Sequence, residues 1–243
     1  YRDAMFTALT TGEISHVRAL LSLARSGGGG DGRSSSFFAK CPHRVGRNGS
    51  YIHFCSRLGK TECLRELLAF GLDIHTKDCH DETSLHVASR NGMMECVRAL
   101  MQHGANVNAR EGHGWSALVC ASLNGRTELL RYLLQFNPDV NEPDLTGRLA
   151  THFAAKNGHI GCLRLMLDAG CSATLPDEDG NTPLHLSVNA GSVAALKMLL
   201  DAGADLRARN HKGQTTLLMA LEVGRTNIVE AILDADPTQY ADL

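Results

Sequence analysis

The stretch from Asp177 to Arg209, DEDGNTPLHLSVNAGSVAALKMLLDAGADLRAR, decides the fold. Its Asp-Gly and Gly-Asn pairs indicate a tight turn. Thr182 is a good N-cap residue, and Pro183 follows at the first helical position, where its missing N–H costs nothing. A short helix is therefore predicted to run from there to Gly191. A second helix with an apolar stripe follows and ends at Gly203, so the stretch predicts two short helices and then an extended segment.

This pattern recurs along the chain at a fixed spacing of 33 residues. One column of glycines marks the turn between the helices: Gly59, Gly92, Gly125, Gly158, Gly191 and Gly224. A second column marks the end of the second helix: Gly71, Gly104, Asn137, Gly170 and Gly203. A fixed period of this length is the signature of a solenoid, in which each unit buries its apolar face against its neighbours.

Two motifs on this period identify a family resemblance. TPLH at Thr182 to His185 and GAD at Gly203 to Asp205 resemble the ankyrin repeat, and TSLH at Thr83 to His86 is a partial copy. The resemblance implies an all-α ankyrin-repeat solenoid of about seven helix-turn-helix repeats with finger-like β-turn loops. The predicted repeats are 1–44, 45–77, 78–110, 111–143, 144–176, 177–209 and a C-terminal capping repeat 210–243, with a Gly/Ser-rich inserted loop at about 26–44 in the first, divergent repeat.

Composition and cysteine positions indicate which partners and which cellular compartment to expect. The formal net charge of −2 gives no global bias toward nucleic acid, and no apolar run is long enough to span a membrane. Cys63, Cys96 and Cys162 occupy a repeat position that holds Leu, Ala or Ile in the other repeats, which indicates packing rather than disulfides. We therefore expect a monomeric protein in a reducing compartment, the cytoplasm, the nucleus or both.

The sequence offers no motif for catalysis, a cofactor or a metal. Gly59-Lys60-Thr61 lacks the earlier glycine of a phosphate-binding loop, because Phe54 stands there. The resemblance assigns structural roles to His53, His86, His152 and His185. Cys41, His43, His53 and Cys55 form C-x-H…H-x-C, but this spacing matches no zinc module. We expect no enzyme activity, cofactor or metal.

The junction of the third and fourth repeats departs from the pattern. Leu149 stands where a capping Thr is expected, so the hydroxyl of Thr151 must be satisfied internally or destabilise the repeat. Asn137 replaces a glycine and precedes Pro138, which favours extended backbone at Asn137. The sequence therefore predicts a locally irregular junction.

The family resemblance places partners on a concave face formed by the fingers and first helices. In the first four repeats from position 45, the columns that face it are mostly cationic, and the single tryptophan lies at a finger tip. Exposed Trp beside Arg is typical of binding hot spots. The predicted partner-binding residues are Arg57, Arg90, Arg110, Trp115, Arg148 and Lys156, with His80 and His113 at the same tips.

Several interpretations of these residues stay open. The favoured one is a scaffold, adaptor or substrate receptor that binds an acidic or acidic–aromatic segment of a partner protein. The alternatives are a phosphorylated small ligand or single-stranded nucleic acid, which the sequence favours less, and regulation of an enzyme domain in a larger chain. The last interpretation is that these residues form no binding site, because the charges are scattered and Trp115 folds back onto its own repeat.

The resemblance also implies one modification site. Ankyrin repeats are commonly hydroxylated on the Asn of a Leu…Asp-Val-Asn pattern. Leu133, Asp139, Val140 and Asn141 fit this pattern, so Asn141 is the expected hydroxylation site.

Overall fold

The computed structural model describes residues 2–27 and 49–238. The chain divides into two compact units, Tyr1–Gly112 and His113–Leu243. The greater part of the predicted inserted loop at about 26–44 lies outside the described residues.

Among its described residues, the first unit contains three pairs of short helices. The first pair is α1 (Arg2–Thr11) and α2 (Ile14–Gly27), the second is α3 (Tyr51–Leu58) and α4 (Thr61–Phe70), and the third is α5 (Ser84–Asn91) and α6 (Met94–Gln102). Within this unit α3 packs on α5, and α4 packs on both α2 and α6. Each helix therefore packs on its partner and on the corresponding helix of a neighbouring pair, as a solenoid requires.

The second unit continues the same plan with four pairs. They are α7 (Ala117–Leu123) with α8 (Thr127–Leu133), α9 (Ala150–Asn157) with α10 (Ile160–Asp168), α11 (Pro183–Ala190) with α12 (Val193–Asp201), and α13 (Thr216–Val223) with α14 (Thr226–Ala235). The described residues contain no strand. The prediction of an all-α fold built from helix-turn-helix repeats is confirmed.

The apolar stripe of each second helix forms the core. Leu196 and Leu199 of α12 are fully buried, and so are Leu163 and Met166 of α10. Burial of one such side chain stabilises the fold by about 1.5–3 kcal/mol, so a stack of these stripes supplies most of the driving force.

Buried histidines join one repeat to the next. In α11 the backbone N–H of Thr182 donates to Nδ1 of His185 (3.2 Å), so the ring proton is on Nε2. Its Nε2–H lies within hydrogen-bond distance of the carbonyl of Ala208 (3.1 Å) and of the carbonyl of Gln214 in the following repeat (3.2 Å). His53, His86 and His152 repeat the arrangement, with their Nε2 atoms 2.9–3.2 Å from carbonyls further along the chain. The predicted structural role of these four histidines is confirmed.

The fourth repeat keeps the histidine hydrogen bonds although Leu149 replaces the capping threonine. Leu149 has no side-chain oxygen, but its N–H donates to Nδ1 of His152 (3.0 Å). The hydroxyl of Thr151 donates to the carbonyl of Ser172 (2.9 Å) and lies 3.6 Å from the thiol of Cys171, which donates to it. Of the two outcomes expected for this hydroxyl, internal satisfaction is therefore the one observed.

The junction after α8 is irregular, as predicted, but in a different way. A 3₁₀ turn from Leu134 to Phe136 follows α8, and Asn137 then adopts φ 47° and ψ 54°, the left-handed conformation. The expectation of extended backbone at Asn137 is wrong. Asn tolerates the left-handed region better than most residues, and the helix end demands it here more strongly than Pro138 opposes it.

The buried histidines predict acid sensitivity. Burial lowers the pKa of His152 to about 4, so the folded protein holds this ring neutral, whereas the unfolded chain takes up a proton near pH 6.5. Because the unfolded state binds more protons between these values, the free energy of unfolding should fall as the pH drops from 7 to 4, by up to about 3 kcal/mol from His152 alone. Urea unfolding at several pH values measures this. His152→Gln should flatten the dependence, and an unchanged slope in that variant would contradict it.

A column of buried serines predicts a gain in stability. The hydroxyls of Ser56, Ser89 and Ser122 are fully buried and have no hydrogen-bond partner among the described residues, and Ala155 fills the same place in the next repeat. Ser89→Ala should raise the free energy of unfolding by about 1 kcal/mol, because it removes an unpaired buried hydroxyl. Ser187 is the matched control, since its hydroxyl donates to the carbonyl of Leu184 (2.7 Å) and its loss should destabilise. Equal urea midpoints for the two variants would refute the explanation.

Candidate binding site

Four of the described fingers are short loops, each held by the polar side chain at its start. In the second unit, Asp144 Oδ1 accepts from the N–H groups of Thr146 and Arg148 (both 2.9 Å), and the Asp144 N–H donates to the carbonyl of Arg148 (2.9 Å). The short side chain of Asp or Asn favours this turn. The same contacts recur at positions 33 residues apart, at Asp78, Asp177 and Asn210. Side chains on the fingers are therefore carried by a fixed backbone.

Backbone hydrogen bonds also link successive fingers within each unit. In the second unit the N–H of Leu145 donates to the carbonyl of His113, and the N–H of Glu178 donates to Thr146 (both 3.0 Å). In the first unit the N–H of Gly112 donates to the carbonyl of His80 (3.0 Å). These bonds fix the spacing between finger tips and hence between the side chains that they present.

Asp144 joins two of the predicted binding residues. Its Oδ2 accepts from Nε1 of Trp115 (3.0 Å) and from Nε and Nη2 of Arg148 (3.1 and 3.0 Å). The side chain is 1% exposed. Burial alone would raise its pKa, but the hydrogen bonds from Arg148, Thr146 and Trp115 together lower the pKa below its ordinary value. Asp144 is therefore a charged acceptor whose two oxygens are both occupied.

Aromatic contacts complete this group. The ring of Trp115 meets that of Phe153 edge to face, with centroids 5.3 Å apart, and the guanidinium of Arg148 lies over the Phe153 ring at 4.8 Å. The ring of His113 lies 5.4 Å from Trp115. Trp115 is half-buried against side chains of the following repeat. Its ring therefore contacts Asp144 and Phe153 of the following repeat and His113 of its own repeat. We call Trp115, Asp144, Arg148 and Phe153 the Trp115 cluster.

Some groups around the Trp115 cluster remain available. Nη1 of Arg148 and the exposed ammonium group of Lys156 have no hydrogen-bond partner among the described residues. The side chain of Leu145 is 65% exposed at the tip of the same finger. The surface therefore offers hydrogen-bond donors and an apolar side chain beside the half-buried ring.

The remaining predicted residues belong to the first unit. Arg90 forms an ion pair with Glu82, whose side chain is 1% exposed, and Arg57 and Arg110 are half-buried. His80 is exposed at its finger tip. Because Arg90 and Arg148 both face buried carboxylates, the two surfaces carry less positive charge than the cationic columns of the sequence suggest.

Three residues of this region were missed by the sequence reasoning. Asp144 has a signal that could have revealed it, because it lies 33 residues from Asp177 and 66 from Asp78 in the column that starts each finger. Leu145 and Phe153 have no such signal. Their importance depends on which way side chains turn at a finger tip, and no spacing rule specifies that.

The predicted hydroxylation site lies at a contact between repeats. The side-chain amide of Asn141 donates to the carbonyl of Gly170 (3.0 Å), and its Oδ1 accepts from the N–H of Ser172 (2.8 Å). The residue is exposed. Hydroxylation of Asn141 stays a prediction.

The described part of the chain gives no support to two other classes of site. No group of three or more His, Cys, Asp or Glu side chains in it is placed to hold a metal ion. None of the described helices combines the length and apolar character needed to cross a bilayer. Of the C-x-H…H-x-C residues, Cys41 and His43 lie outside the described residues, and both ring nitrogens of His53 are engaged in hydrogen bonds.

Comparison with protein families identifies the type of repeat. The family model described as ankyrin repeats matches in three copies, over residues 52–144, 108–177 and 151–241. Together these copies span most of the chain. A search of the curated proteins finds none that matches.

The Trp115 cluster predicts a spectroscopic effect. Asp144→Asn keeps the finger turn, since Asn210 holds the same position in another repeat, but removes the charged acceptor of Trp115 and Arg148. The variant should lose about 1–3 kcal/mol of stability. Its fluorescence should shift to longer wavelength, because the single tryptophan loosens into solvent. Asp177→Asn, in the same column, is the control. Identical emission spectra for the two variants would show that Asp144 does not hold the ring.

Proposed function

Because the chain belongs to the ankyrin repeat family, whose repeats are generally protein–protein interaction modules, we propose that it is a non-catalytic module that binds a segment of a partner protein. The observation that carries this proposal is the Trp115 cluster of the second unit. A Trp and an Arg held in place by one buried carboxylate supply two of the side chains that are enriched at binding hot spots.

The cluster is prepared for binding before a partner arrives. Asp144 fixes Trp115 through one hydrogen bond and Arg148 through two, so little side-chain freedom remains to be lost on association. Ordering a rotamer-rich side chain at an interface costs about 0.5–1.5 kcal/mol, which this arrangement avoids for both residues. A partner therefore meets a fixed surface rather than mobile side chains.

The groups left over favour an acidic or acidic–aromatic partner segment. Both oxygens of Asp144 already accept hydrogen bonds, so this carboxylate is not available as an acceptor for a partner. It offers donors at Nη1 of Arg148 and at Lys156, which suit a carboxylate. Trp115 and the exposed Leu145 suit an aromatic or aliphatic side chain next to that carboxylate.

The first unit supplies a second proposed set of contacts. Arg57, Arg90, Arg110 and His80 are proposed to meet further acidic side chains of a partner. Cations at the edge of an interface mainly accelerate association and add salt dependence rather than affinity. We therefore propose that these residues of the first unit contribute to the association rate, whereas the Trp115 cluster determines the affinity of the second unit for its segment.

We also propose a reducing compartment, the cytoplasm or the nucleus. Cys63, Cys96 and Cys162 are buried in the cores of their repeats, and burial raises the pKa of each thiol. They act as packing residues, which supports an environment that keeps thiols reduced.

Peptide display tests the proposed specificity. Random twelve-residue peptides selected on the purified chain should be enriched in Asp or Glu next to Phe, Tyr or Trp. Trp115→Ala and Arg148→Gln should each weaken the selected peptide at least tenfold, a loss of about 1.4 kcal/mol or more. Fluorescence anisotropy of the labelled peptide measures this.

Matched variants and probes separate the alternatives. Lys197→Ala removes an exposed cation on α12, outside the Trp115 cluster, and should leave the affinity unchanged. Selection of neutral or basic peptides, or full binding by Trp115→Ala, would refute the proposed site. Tight binding of a single-stranded oligonucleotide that falls steeply with salt would instead favour the nucleic-acid alternative.

A further inference from the structure

The arrangement of the Trp115 cluster recurs two repeats later in the second unit, with different side chains. The residues that correspond to it position by position are Asn181, Asn210, Gln214 and Met219, which we call the Asn210 cluster. Asn210 is buried, as Asp144 is, and its Oδ1 accepts from the backbone N–H of Gln214 (3.0 Å) just as Asp144 accepts from that of Arg148. The second unit therefore contains two equivalent clusters.

Hydrogen bonds in the Asn210 cluster run in the opposite sense. Because Oδ1 of Asn210 accepts from the backbone, the amide is oriented so that Nδ2 faces the other side chains. Nδ2 donates to Oδ1 of Asn181 (3.0 Å) and to Oε1 of Gln214 (3.2 Å), and it lies 3.9 Å from Sδ of Met219. Nε2 of Gln214 then donates to Oε2 of Glu222 (2.7 Å). Amide donors are thus used inside the cluster, and a carboxylate stands at its edge.

Glu222 occupies the position beside the Asn210 cluster that Lys156 occupies beside the Trp115 cluster. Both side chains are exposed, Lys156 at the end of α9 and Glu222 at the end of α13. Gln214 holds one oxygen of Glu222, and Oε1 has no hydrogen-bond partner in the described part of the chain. The two equivalent sites therefore present opposite charges, a cation at one and a carboxylate at the other.

Amide groups lie between these two charges. Asn189 of α11 stands in the same column and is exposed, and its Nδ2 donates to the carbonyl of Leu186 (3.3 Å), which leaves Oδ1 as an acceptor. Oδ1 of Asn181 accepts from Asn210, which leaves Nδ2 as a donor. An acceptor and a donor of this kind suit the N–H and C=O groups of an extended chain, because a helix already pairs its own backbone groups.

Other charges at this end of the unit have both signs. Lys212 is exposed on the last finger, where Nη1 of Arg209 donates to the carbonyl of Gly213 (2.8 Å). Glu178 and Asp179 are exposed on the finger before it. The general charge of the region therefore does not select a partner, and selection depends on the carboxylate of Glu222 that Gln214 holds in place.

We propose that Glu222, at the edge of the Asn210 cluster, binds a Lys or Arg of the same extended partner segment whose acidic residue meets Lys156. This proposal rests on the proposed function and adds the order of charges in the partner. Helix α11 packs on both α9 and α13. Packed helices lie about 8–10 Å apart, so about 16–20 Å separate Lys156 from Glu222. An extended chain covers about 3.3 Å per residue, so the acidic and basic residues of the partner lie about five or six positions apart.

Matched peptides test both the sign and the spacing. Each fluorescein-labelled peptide carries Asp-Phe-Glu, then a Ser/Ala spacer of five residues, then either Lys or Glu, and a second pair has a spacer of one residue. All are made in both chain directions. The long-spacer Lys peptide should bind the intact chain at least fivefold more tightly than its Glu counterpart by fluorescence anisotropy. The short-spacer pair should differ less than twofold, because its last residue does not reach Glu222.

Charge reversal on the chain identifies the contact. Glu222→Lys should reverse the preference within the long-spacer pair. Glu230→Lys is the matched control, since Glu230 is an exposed acid on α14 outside the Asn210 cluster and the variant makes the same change in net charge. It should keep the preference for the Lys peptide. Circular dichroism checks that both variants fold.

The outcomes separate this proposal from the proposed function. Equal binding of the long-spacer pair to the intact chain, or an equal reversal in Glu230→Lys, would overturn the contact at Glu222. If Trp115→Ala still weakens both long-spacer peptides at least tenfold, the proposed function stands and only this proposal fails. Binding of neither long-spacer peptide would overturn both.

Discussion

The structure depends on one hydrogen bond that four repeats share, the bond from a buried neutral imidazole to a carbonyl in or just before the next finger. The ring of His185, for example, accepts at Nδ1 from the start of its own helix, and its Nε2 faces the carbonyl of Ala208 and that of Gln214 in the next finger. A protonated ring would lose the first contact and carry a buried charge, so the connection requires the neutral form. The finger loops keep their positions because this bond, repeated along each unit, fixes where each repeat begins.

The repeat period predicts the parts of this fold that every repeat must share. Position 191 of the type unit is a glycine because the turn between the helices needs a left-handed residue, so the same residue appears every 33 positions. Burial of the stripe at Leu196 and Leu199 follows in the same way from helical spacing. Asn137 shows the limit of such reasoning. Two local preferences conflict there, and only the packed helix end decides between them.

The candidate site is less predictable because it depends on single side chains rather than on shared positions. Trp115 and Arg148 stand out by residue type, but their common dependence on Asp144 comes from the way that neighbouring fingers meet. The same holds for Arg90, whose position predicts a free cation and whose structure shows an ion pair with buried Glu82. Comparison of equivalent repeat positions identifies these cations correctly, but it does not reveal the buried carboxylates that pair with them.

The sharing of one oxygen atom has a consequence for how this surface can change over evolutionary time. Trp115 and Arg148 both donate to Oδ2 of Asp144, so a substitution at one position alters the contact left to the other. Their contributions to stability and to recognition are therefore coupled and do not add. A lineage that changes its partner would have to replace the three residues together or keep them all, whereas Leu145 and Lys156, which stand outside this coupling, can vary one at a time.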